Sequence, residues 1–272
     1  MLASDPAARP LSGIASADVV VEMPVTPNGI TRMMGVFQCQ LPSEIGSVRS
    51  AREDFIPLAA AFGGLFAHWG GELQALTALN SGIINNVDAL KYEGTAFFRK
   101  PGVKAPHNGF TTVQRILQTA ERLNYTLIGA FTGYPHLTQS ERKNIATLVR
   151  SVTVPYPPPY DVAWTYQEST NQYRRVRGGT PETDATDDRV VHASVVIIME
   201  TTETFISNDY IRVHVGERGN ARVYQNGTVA AAAWKKDAVP NGKLSFLDTG
   251  GKEIQFAPGS IWIEIITSQP TS

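Results

Sequence analysis

A proline-rich segment at residues 154–160 separates two parts of the chain that have different hydrophobic patterns. Before it, short apolar runs alternate with stretches of helical periodicity, which is typical of strands and helices that pack in layers. After it, helical periodicity disappears and turn residues separate short apolar runs, which indicates antiparallel β structure. We therefore predict an α+β or α/β protein, with an N-terminal layered α/β domain (residues 1–150) and a mainly antiparallel β domain (residues 151–272).

Capping residues, glycines and apolar runs locate individual elements. Ser50 and Glu53 match a capping box, which predicts a helix from there to about Phe62, ended by Gly63-Gly64. Pro57 inside this stretch predicts a kink or a later start. The other predicted elements are strands at 65–68, 96–98, 160–166, 172–176, 193–199, 210–215 and 261–266, helices at 72–79 and 113–123, the second after Thr111-Thr112, and a hairpin that turns at Asn226-Gly227.

Composition excludes several classes of function. The 24 basic and 25 acidic residues nearly balance, so there is no overall basic field for nucleic acid. The single cysteine, Cys39, excludes an internal disulfide, and its apolar neighbours predict a buried strand position. No apolar stretch approaches the roughly 20 residues of a membrane-spanning helix, and there is no signal peptide. We find no metal-binding or phosphate-cradling motif, so we assign no metal and no cofactor.

The first candidate site lies around Arg49, Ser50 and Arg52. Free amides at a predicted helix start favour an anion, and guanidinium groups bind carboxylates or phosphates through two parallel hydrogen bonds. The alternative is a pair of ordinary surface or ion-paired arginines, with Ser50 acting only as a cap.

Two further candidates lie in turns before predicted helices. His68 ends a predicted strand, and Gly70 and Gly71 let a backbone approach closely. The loop with Lys104, His107 and Asn108 combines a cation, a proton carrier and an amide. Each also fits a purely structural interpretation, either as a satisfied histidine beside an ordinary turn or as a surface loop.

Because these segments all precede predicted helices, we expect them to converge on one face of the α/β layer. Glu22 or Arg32 would join them from neighbouring strands. Such a positive pocket suits a phosphate, pyrophosphate or carboxylate ligand. His68 and His107 are alternatively an acid/base pair or part of a metal site. The predicted ligand-binding residues are Glu22, Arg32, Arg49, Ser50, Arg52, His68, Gly70, Gly71, Lys104, His107 and Asn108.

Several of these segments, in this order, resemble the YerB-like lipoproteins of bacteria, a family without an established activity. The second part resembles that family's second domain. The segments that carry the resemblance are residues 8–13, 17–22, 29–32, 45–52, 68–71, 104–108, 173–175, 179–181, 184, 234–236 and 258–263.

The resemblance implies an exported protein that a lipid anchor holds at the cell envelope. The anchor cysteine and a first strand are missing from the sequence, which suggests truncation, and Trp69 stands where a small residue is expected. The implied location is extracytoplasmic, with membrane contact only through the missing anchor. The family supplies no catalytic residue.

Three hypotheses follow. The leading one is a non-enzymatic envelope protein that binds an anionic envelope ligand or a protein partner through the arginine and histidine residues. The second is a hydrolase or transferase acting on a phosphate- or glycan-containing substrate, with His68 or His107 as general acid/base. The third is a structural partner protein with exposed apolar patches, for which Tyr156, Tyr160, Trp164 and Tyr166 are either a patch or part of the core.

Overall fold

The computed structural model describes residues 1–127, 129, 131–138, 148–237, 239 and 241–269. The helices of these residues are α1 (Phe55–Phe62), α2 (Leu73–Asn80), α3 (Ala89–Tyr92) and α4 (Val113–Arg122). The strands of the first part are β1 (Leu2–Ala3), β2 (Val19–Pro24), β3 (Thr31–Val36), β4 (Ile45–Gly46), β5 (Phe66–His68), β6 (Asn86–Asp88), β7 (Phe97–Arg99) and β8 (Gly109–Thr111). Those of the second part are β9 (Ser151–Val154), β10 (Val162–Gln167), β11 (Gln172–Arg177), β12 (Thr180–Pro181), β13 (His192–Ala193), β14 (Val195–Ser207), β15 (Tyr210–Val213), β16 (Arg218–Gln225), β17 (Thr228–Lys236), β18 (Leu244–Leu247) and β19 (Ile261–Ser268).

A nine-stranded sheet runs through both parts of the chain. Its order is β1-β3-β2-β19-β14-β16-β17-β18, with β15 paired to β14. The last strand, β19, lies parallel to both β2 and β14, so it joins strands of the first part to strands of the second. The predicted fold class is confirmed, with a mixed sheet and helices in the first part and mainly antiparallel strands in the second. The boundary between residues 150 and 151 stays a prediction, because residues 139–147 lie outside the described residues.

Each face of the nine-stranded sheet is covered by its own apolar core. Alternation along β2 puts Val21 and Met23 on one face and Glu22 on the other. The first face packs against α1 and α2. The second packs against the five-stranded sheet formed by β9 to β13, where the rings of Trp164 and Trp262 lie 5.2 Å apart. Polar side chains on this second face are therefore enclosed between two sheets.

Two local predictions are confirmed. The Thr112 hydroxyl accepts a hydrogen bond from the amide of Arg115 at 3.2 Å, which caps α4. Asn226 and Gly227 have φ values of 53° and 72°, as a tight turn between antiparallel strands requires, and they connect β16 to β17. The expected strands at 65–68 and 96–98 and the helix at 72–79 are also present, with ends shifted by one or two residues.

The predicted capping box is wrong. Helix α1 begins at Phe55, and Asp54 rather than Ser50 precedes it. The late start puts Pro57 at the third helical position, where the backbone amide has no partner within the helix, so the proline costs nothing there. The helix ends as expected at Gly63, which adopts a left-handed conformation with φ of 61°.

The prediction for Cys39 is also wrong, since the thiol is exposed. Strand β3 ends at Val36, and Cys39 lies in the loop that follows it. The amide of Cys39 donates a hydrogen bond to the carboxylate of Asp18. By contrast, Tyr156, Tyr160 and Trp164 are buried, and Tyr166 is partly buried against the same core. They belong to the core between the sheets, which removes the exposed aromatic patch that a structural partner protein would offer.

Candidate functional site

The structure brings four of the predicted residues together: Arg32, Arg49, Arg52 and His107, called the Arg/His cluster below. Burial is the largest of the causes that lower the pKa of Arg32 to about 10, and the charges of Arg49 and Arg52 contribute to the same shift. Burial also lowers the pKa of His107, and Arg49 and Arg32 again add to the effect. Nη1 of Arg49 donates to the carbonyl of Pro106 at 3.1 Å, so the His107 loop lies directly beside the arginines.

Strand pairing explains why residues so far apart in the sequence meet. Arg32 on β3 lies opposite Ala3 on β1, and Ser47 lies opposite Ala3 on its other side. Side chains of directly opposed residues share a face, and alternation brings Arg49 to the same face as Ser47. Ala3, which lies between the strand of Arg32 and the segment of Ser47 and Arg49, contributes only a methyl group to this face.

In each of the three arginines, the described hydrogen bonds are donated by Nη1. Nη1 of Arg32 donates to the Asp5 carboxylate at 3.0 Å. Nη1 of Arg49 and of Arg52 donate to backbone carbonyls, each at 3.1 Å. The Nε atoms of these arginines and Nδ1 of His107 are buried and have no hydrogen-bond partner among the described residues. A buried polar atom without a partner costs about 1–3 kcal/mol, so three guanidinium donors and one imidazole nitrogen in one place mark a site with unmet hydrogen-bonding capacity.

Sequence reasoning missed three neighbours of the Arg/His cluster. Asp5 pairs with Arg32 and accepts a hydrogen bond from the Tyr160 hydroxyl at 3.4 Å. The guanidinium of Arg52 lies 5.1 Å from the centre of the Tyr210 ring, which is a cation–π distance. The Arg52–Tyr210 contact spans much of the chain and has no sequence signal. Asp5 lies in an N-terminal segment that reads as an ordinary loop.

His68 lies in the interior and not at the Arg/His cluster. Its ring is fully buried, with Nδ1 2.8 Å from the Gly70 carbonyl and Nε2 3.2 Å from Oδ1 of Asn86. Burial lowers its pKa. The same Gly70 carbonyl accepts a hydrogen bond from the amide of Ala51 at 2.9 Å. His68 therefore stabilises the turn that contacts the Arg49–Arg52 segment.

Gly71 lets that segment approach closely. A Cβ atom on Gly71 would lie 3.1 Å from both Cβ and the carbonyl oxygen of Ala51. Trp69, which stands where a small residue was expected, packs against Gly109 and lies 4.1 Å from the guanidinium of Arg99. The glycines and the tryptophan therefore act as the scaffold of the arginine segment.

The remaining predicted residues have other surroundings. Lys104 is exposed at the end of its loop, and Ser50 is half-buried with no described hydrogen bond from its hydroxyl. Asn108 accepts a hydrogen bond from Nη1 of Arg99 at 3.0 Å. Glu22 lies on the opposite face of the sheet from Arg32, because Arg32 lies opposite Met23.

Glu22 belongs instead to a second charged group, the buried ion network, which consists of Glu22, Arg175, Arg177, Glu182 and Glu264 between the two sheets. Arg175 pairs through Nε with Glu182 at 2.7 Å, through Nη1 with Glu264 and through Nη2 with Glu22. Its guanidinium also stacks 4.1 Å from the Trp262 ring. Oε2 of Glu264 lacks a described partner, and burial raises the pKa of this carboxyl group.

Neither of two cavities, about 310 and 390 Å³ in volume, is lined by the arginines of the Arg/His cluster or by His107. The cavity of about 390 Å³ lies between the start of α1 and β15, where Arg212 pairs with Asp54 at 2.9 Å and with Glu53 at 2.7 Å. Among the described residues, no group of three or more His, Cys, Asp or Glu side chains is placed to hold a metal ion.

Comparison with known proteins gives consistent results. Two models, described as the N-terminal and C-terminal domains of a protein of unknown function (DUF3048), match residues 1–126 and 152–263. The "Putative lipoprotein YerB" of Bacillus subtilis (strain 168) is 32% identical over 265 residues, which cover 96% of this chain and 78% of that protein. The crystal structure of YerB protein from Bacillus subtilis matches with a TM-score of 0.87 at 29% identity, covering 97% of this chain and 88% of that one. Of the helices described here, none has the length and apolar character needed to cross a bilayer.

Proposed function

Because this chain belongs to the DUF3048 family of unknown function, as its resemblance to the YerB-like lipoproteins predicted, we propose a function from its own Arg/His cluster. The protein binds an anionic ligand of the cell envelope, one that carries a phosphate or carboxylate group. The name of the Bacillus subtilis relative supports an extracytoplasmic, lipid-anchored location.

One observation carries the proposal, namely the four buried nitrogen atoms without a partner at Arg32, Arg49, Arg52 and His107. Three of them belong to guanidinium groups, whose charge persists at any physiological pH. An anion with several oxygen atoms satisfies such donors and offsets the repulsion among the arginines. An anionic side chain of a protein partner has the same chemistry and is the alternative source of the ligand group.

A second candidate function is a hydrolase or transferase that acts on a phosphate- or glycan-containing substrate. The position of His107 beside Arg49 favours it, since a general acid/base and an anion clamp would then act on one group. His68 has no exposed surface, which leaves His107 as the candidate acid/base. Release of inorganic phosphate or sugar from envelope substrates, lost in His107→Gln, would support this candidate over binding alone.

The binding proposal is tested by thermal unfolding of the wild type and of an Arg49→Ala/Arg52→Ala variant with phosphate, pyrophosphate, succinate and lipid-carrier head groups. A ligand at 100 times its Kd stabilises the folded state by about 2.7 kcal/mol. We expect such a shift in the wild type and its loss in the variant.

Arg222→Ala is the matched control, because Arg222 is an exposed arginine paired only with Glu200 at 2.8 Å among its described ion pairs. It should keep the ligand-dependent shift. The absence of any shift, or an equal shift in the double variant, contradicts the proposal.

A further inference from the structure

We propose that the group bound by the Arg/His cluster is a terminal phosphoryl group, as in a phosphomonoester or at the end of a pyrophosphate. The inference rests on the proposed function and specifies its ligand. Three features of the molecule support a phosphoryl ligand: the free edges of three guanidinium groups, the balance of charge around them and the position of His107.

Each of the three guanidinium groups has one edge without a described hydrogen bond at Nε. In Arg32, Arg49 and Arg52 the described hydrogen bonds use Nη1, and Nε is left without a partner. An arginine binds an oxyanion side-on through the edge that carries Nε and Nη2, making two parallel hydrogen bonds. Three such edges match a phosphoryl group better than a carboxylate in number of acceptors, because a terminal phosphoryl group has three strongly accepting oxygen atoms and a carboxylate has two.

The positive charge of the three arginines is only partly balanced by nearby carboxylates. Against the three arginines stand Asp5, which pairs with Arg32, and Glu72, whose charge reaches Arg52. Asp54 also acts on Arg52, but it is itself paired with Arg212. The surroundings therefore keep an excess of positive charge without a ligand. A phosphomonoester carries a charge of about −1.5 to −2 at pH 7, whereas a phosphodiester or a single carboxylate carries about −1.

His107 lies beside the arginines, and its protonation depends on the charges around it. The charged groups that act on it are Arg49 and Arg32, which disfavour its protonation, and Asp5, which favours it. Its Nδ1 atom is buried and unpaired. A dianion bound beside Arg49 favours the protonated ring, which then donates a hydrogen bond to the ligand. Binding of a phosphomonoester is therefore accompanied by proton uptake at His107.

Titration calorimetry at pH 7.5 with methyl phosphate, dimethyl phosphate and succinate separates the possible ligand groups. We expect methyl phosphate to bind at least tenfold more tightly than the other two. Repeating the titration in two buffers of different ionisation enthalpy measures proton uptake. We expect uptake with methyl phosphate in the wild type and none in His107→Gln, whose folding is checked by circular dichroism.

Vesicles distinguish a lipid source from a soluble one. Phosphatidylcholine vesicles containing phosphatidic acid present a phosphomonoester, and those containing phosphatidylglycerol present a phosphodiester. Binding to phosphatidic acid vesicles above phosphatidylglycerol vesicles supports a lipid-borne phosphoryl group. Tight binding of methyl phosphate without any vesicle preference supports a soluble one.

The outcomes separate this inference from the proposed function. Equal affinity for methyl phosphate, dimethyl phosphate and succinate overturns the phosphoryl assignment and leaves anion binding intact. Wild-type proton uptake that persists in His107→Gln overturns the role of the histidine in it. Failure of every anion to bind overturns the proposed function as well.

Discussion

The buried ion network and the Arg/His cluster are both built from arginines on β-strands and neighbouring segments, yet they differ in how completely those arginines are paired. In the network, each of the three side-chain nitrogen atoms of Arg175 contacts a carboxylate. In the cluster, the carboxylate that pairs with Arg32 among the described residues is Asp5, and the Nε atom of Arg32 has no described partner although the residue is 5% exposed.

Under the proposed function, this difference separates a charged group that serves the fold from one that serves a ligand. A buried charge is tolerated when its hydrogen bonds are made within the protein, as for Arg175 between the two sheets. Donors left unpaired lower stability and are retained where another molecule satisfies them. Five predictions test this division.

Arg175→Ala should have the largest effect. It leaves Glu22 and Glu264 with fewer partners in the buried region between the sheets. Breaking a buried ion pair in this way costs about 3–5 kcal/mol. Urea unfolding of the wild type and the variant measures the loss. Arg222→Ala, at an exposed ion pair, should change the free energy of unfolding by less than about 1 kcal/mol. Equal costs would break the distinction.

Glu182 should make the network sensitive to acid. Burial alone would raise its pKa, but Arg177 and Arg175 outweigh burial and lower it to about 2 from 4.5. A carboxylate with a lowered folded-state pKa stabilises the protein above pH 4.5, and this contribution is lost as pH falls towards 2. The loss, on the order of 3 kcal/mol, should appear in the free energy of unfolding measured across this range.

Two variants assign that acid sensitivity. Glu182→Gln should remove the loss between pH 4.5 and 2, because the group no longer titrates. Glu264→Gln should retain it, since burial raises the pKa of Glu264, and this opposite shift gives a pH dependence of opposite sign. A Glu182→Gln variant that keeps the wild-type acid dependence would show that another carboxylate dominates.

Asp5→Asn should affect the Arg/His cluster in two opposite ways. It removes the carboxylate partner of the buried Arg32 and should cost about 2 kcal/mol in the absence of ligand. It also removes a negative charge that competes with the ligand, so methyl phosphate should bind more tightly than to the wild type. Thermal unfolding without ligand and calorimetry with it measure the two effects. Weaker binding in this variant would mean that Asp5 positions Arg32 for the ligand rather than competing with it.

Gly71→Ala should test the scaffold. The added methyl group lies 3.1 Å from Ala51, so the Arg49–Arg52 segment must shift, at a cost of about 1 kcal/mol. Although Gly71 contacts no arginine of the cluster in the described hydrogen bonds, anion affinity should fall. Gly82→Ala is the control for a glycine in open space, although its φ of 81° adds strain of its own. Unchanged affinity in Gly71→Ala would separate the turn from the site.

Ser50→Ala should have the smallest effect, below about 0.5 kcal/mol, because α1 begins at Phe55 and Ser50 caps nothing. Urea unfolding measures it, with Thr112→Ala as the positive control. Thr112 does cap α4, so its loss should cost about 1 kcal/mol. A loss of similar size in Ser50→Ala would restore a local structural role for its hydroxyl.

Local chemistry explains why much of the fold was predictable. The Thr112 cap, the Gly63 stop and the Asn226-Gly227 turn each depend on contacts within a few residues, and each was read from the sequence. The capping box at Ser50 failed because a matching pattern does not fix where the chain turns into the helix. Cys39 failed because apolar neighbours do not reveal where a strand ends.

Four members of the candidate site were also predictable, because Arg32, Arg49, Arg52 and His107 lie at strands and loops that a layered α/β arrangement brings together. Their separation from Glu22 and His68 was not. Which face of a strand a residue occupies depends on pairing register, and a shift of one residue moves every side chain to the other face.

The sequence by itself determined the two patterns of secondary structure, the local turns and the family of this protein. Only the tertiary structure decided which arginines are paired. Glu22 meets Arg175 across 153 positions, and Arg212 meets Asp54 across 158. Such contacts depend on which strands become neighbours in the sheets, and strand order follows from packing of the whole chain rather than from any short stretch of it. Whether a charged side chain is satisfied is therefore a property of the fold, and it is this property that separates the Arg/His cluster from the buried ion network.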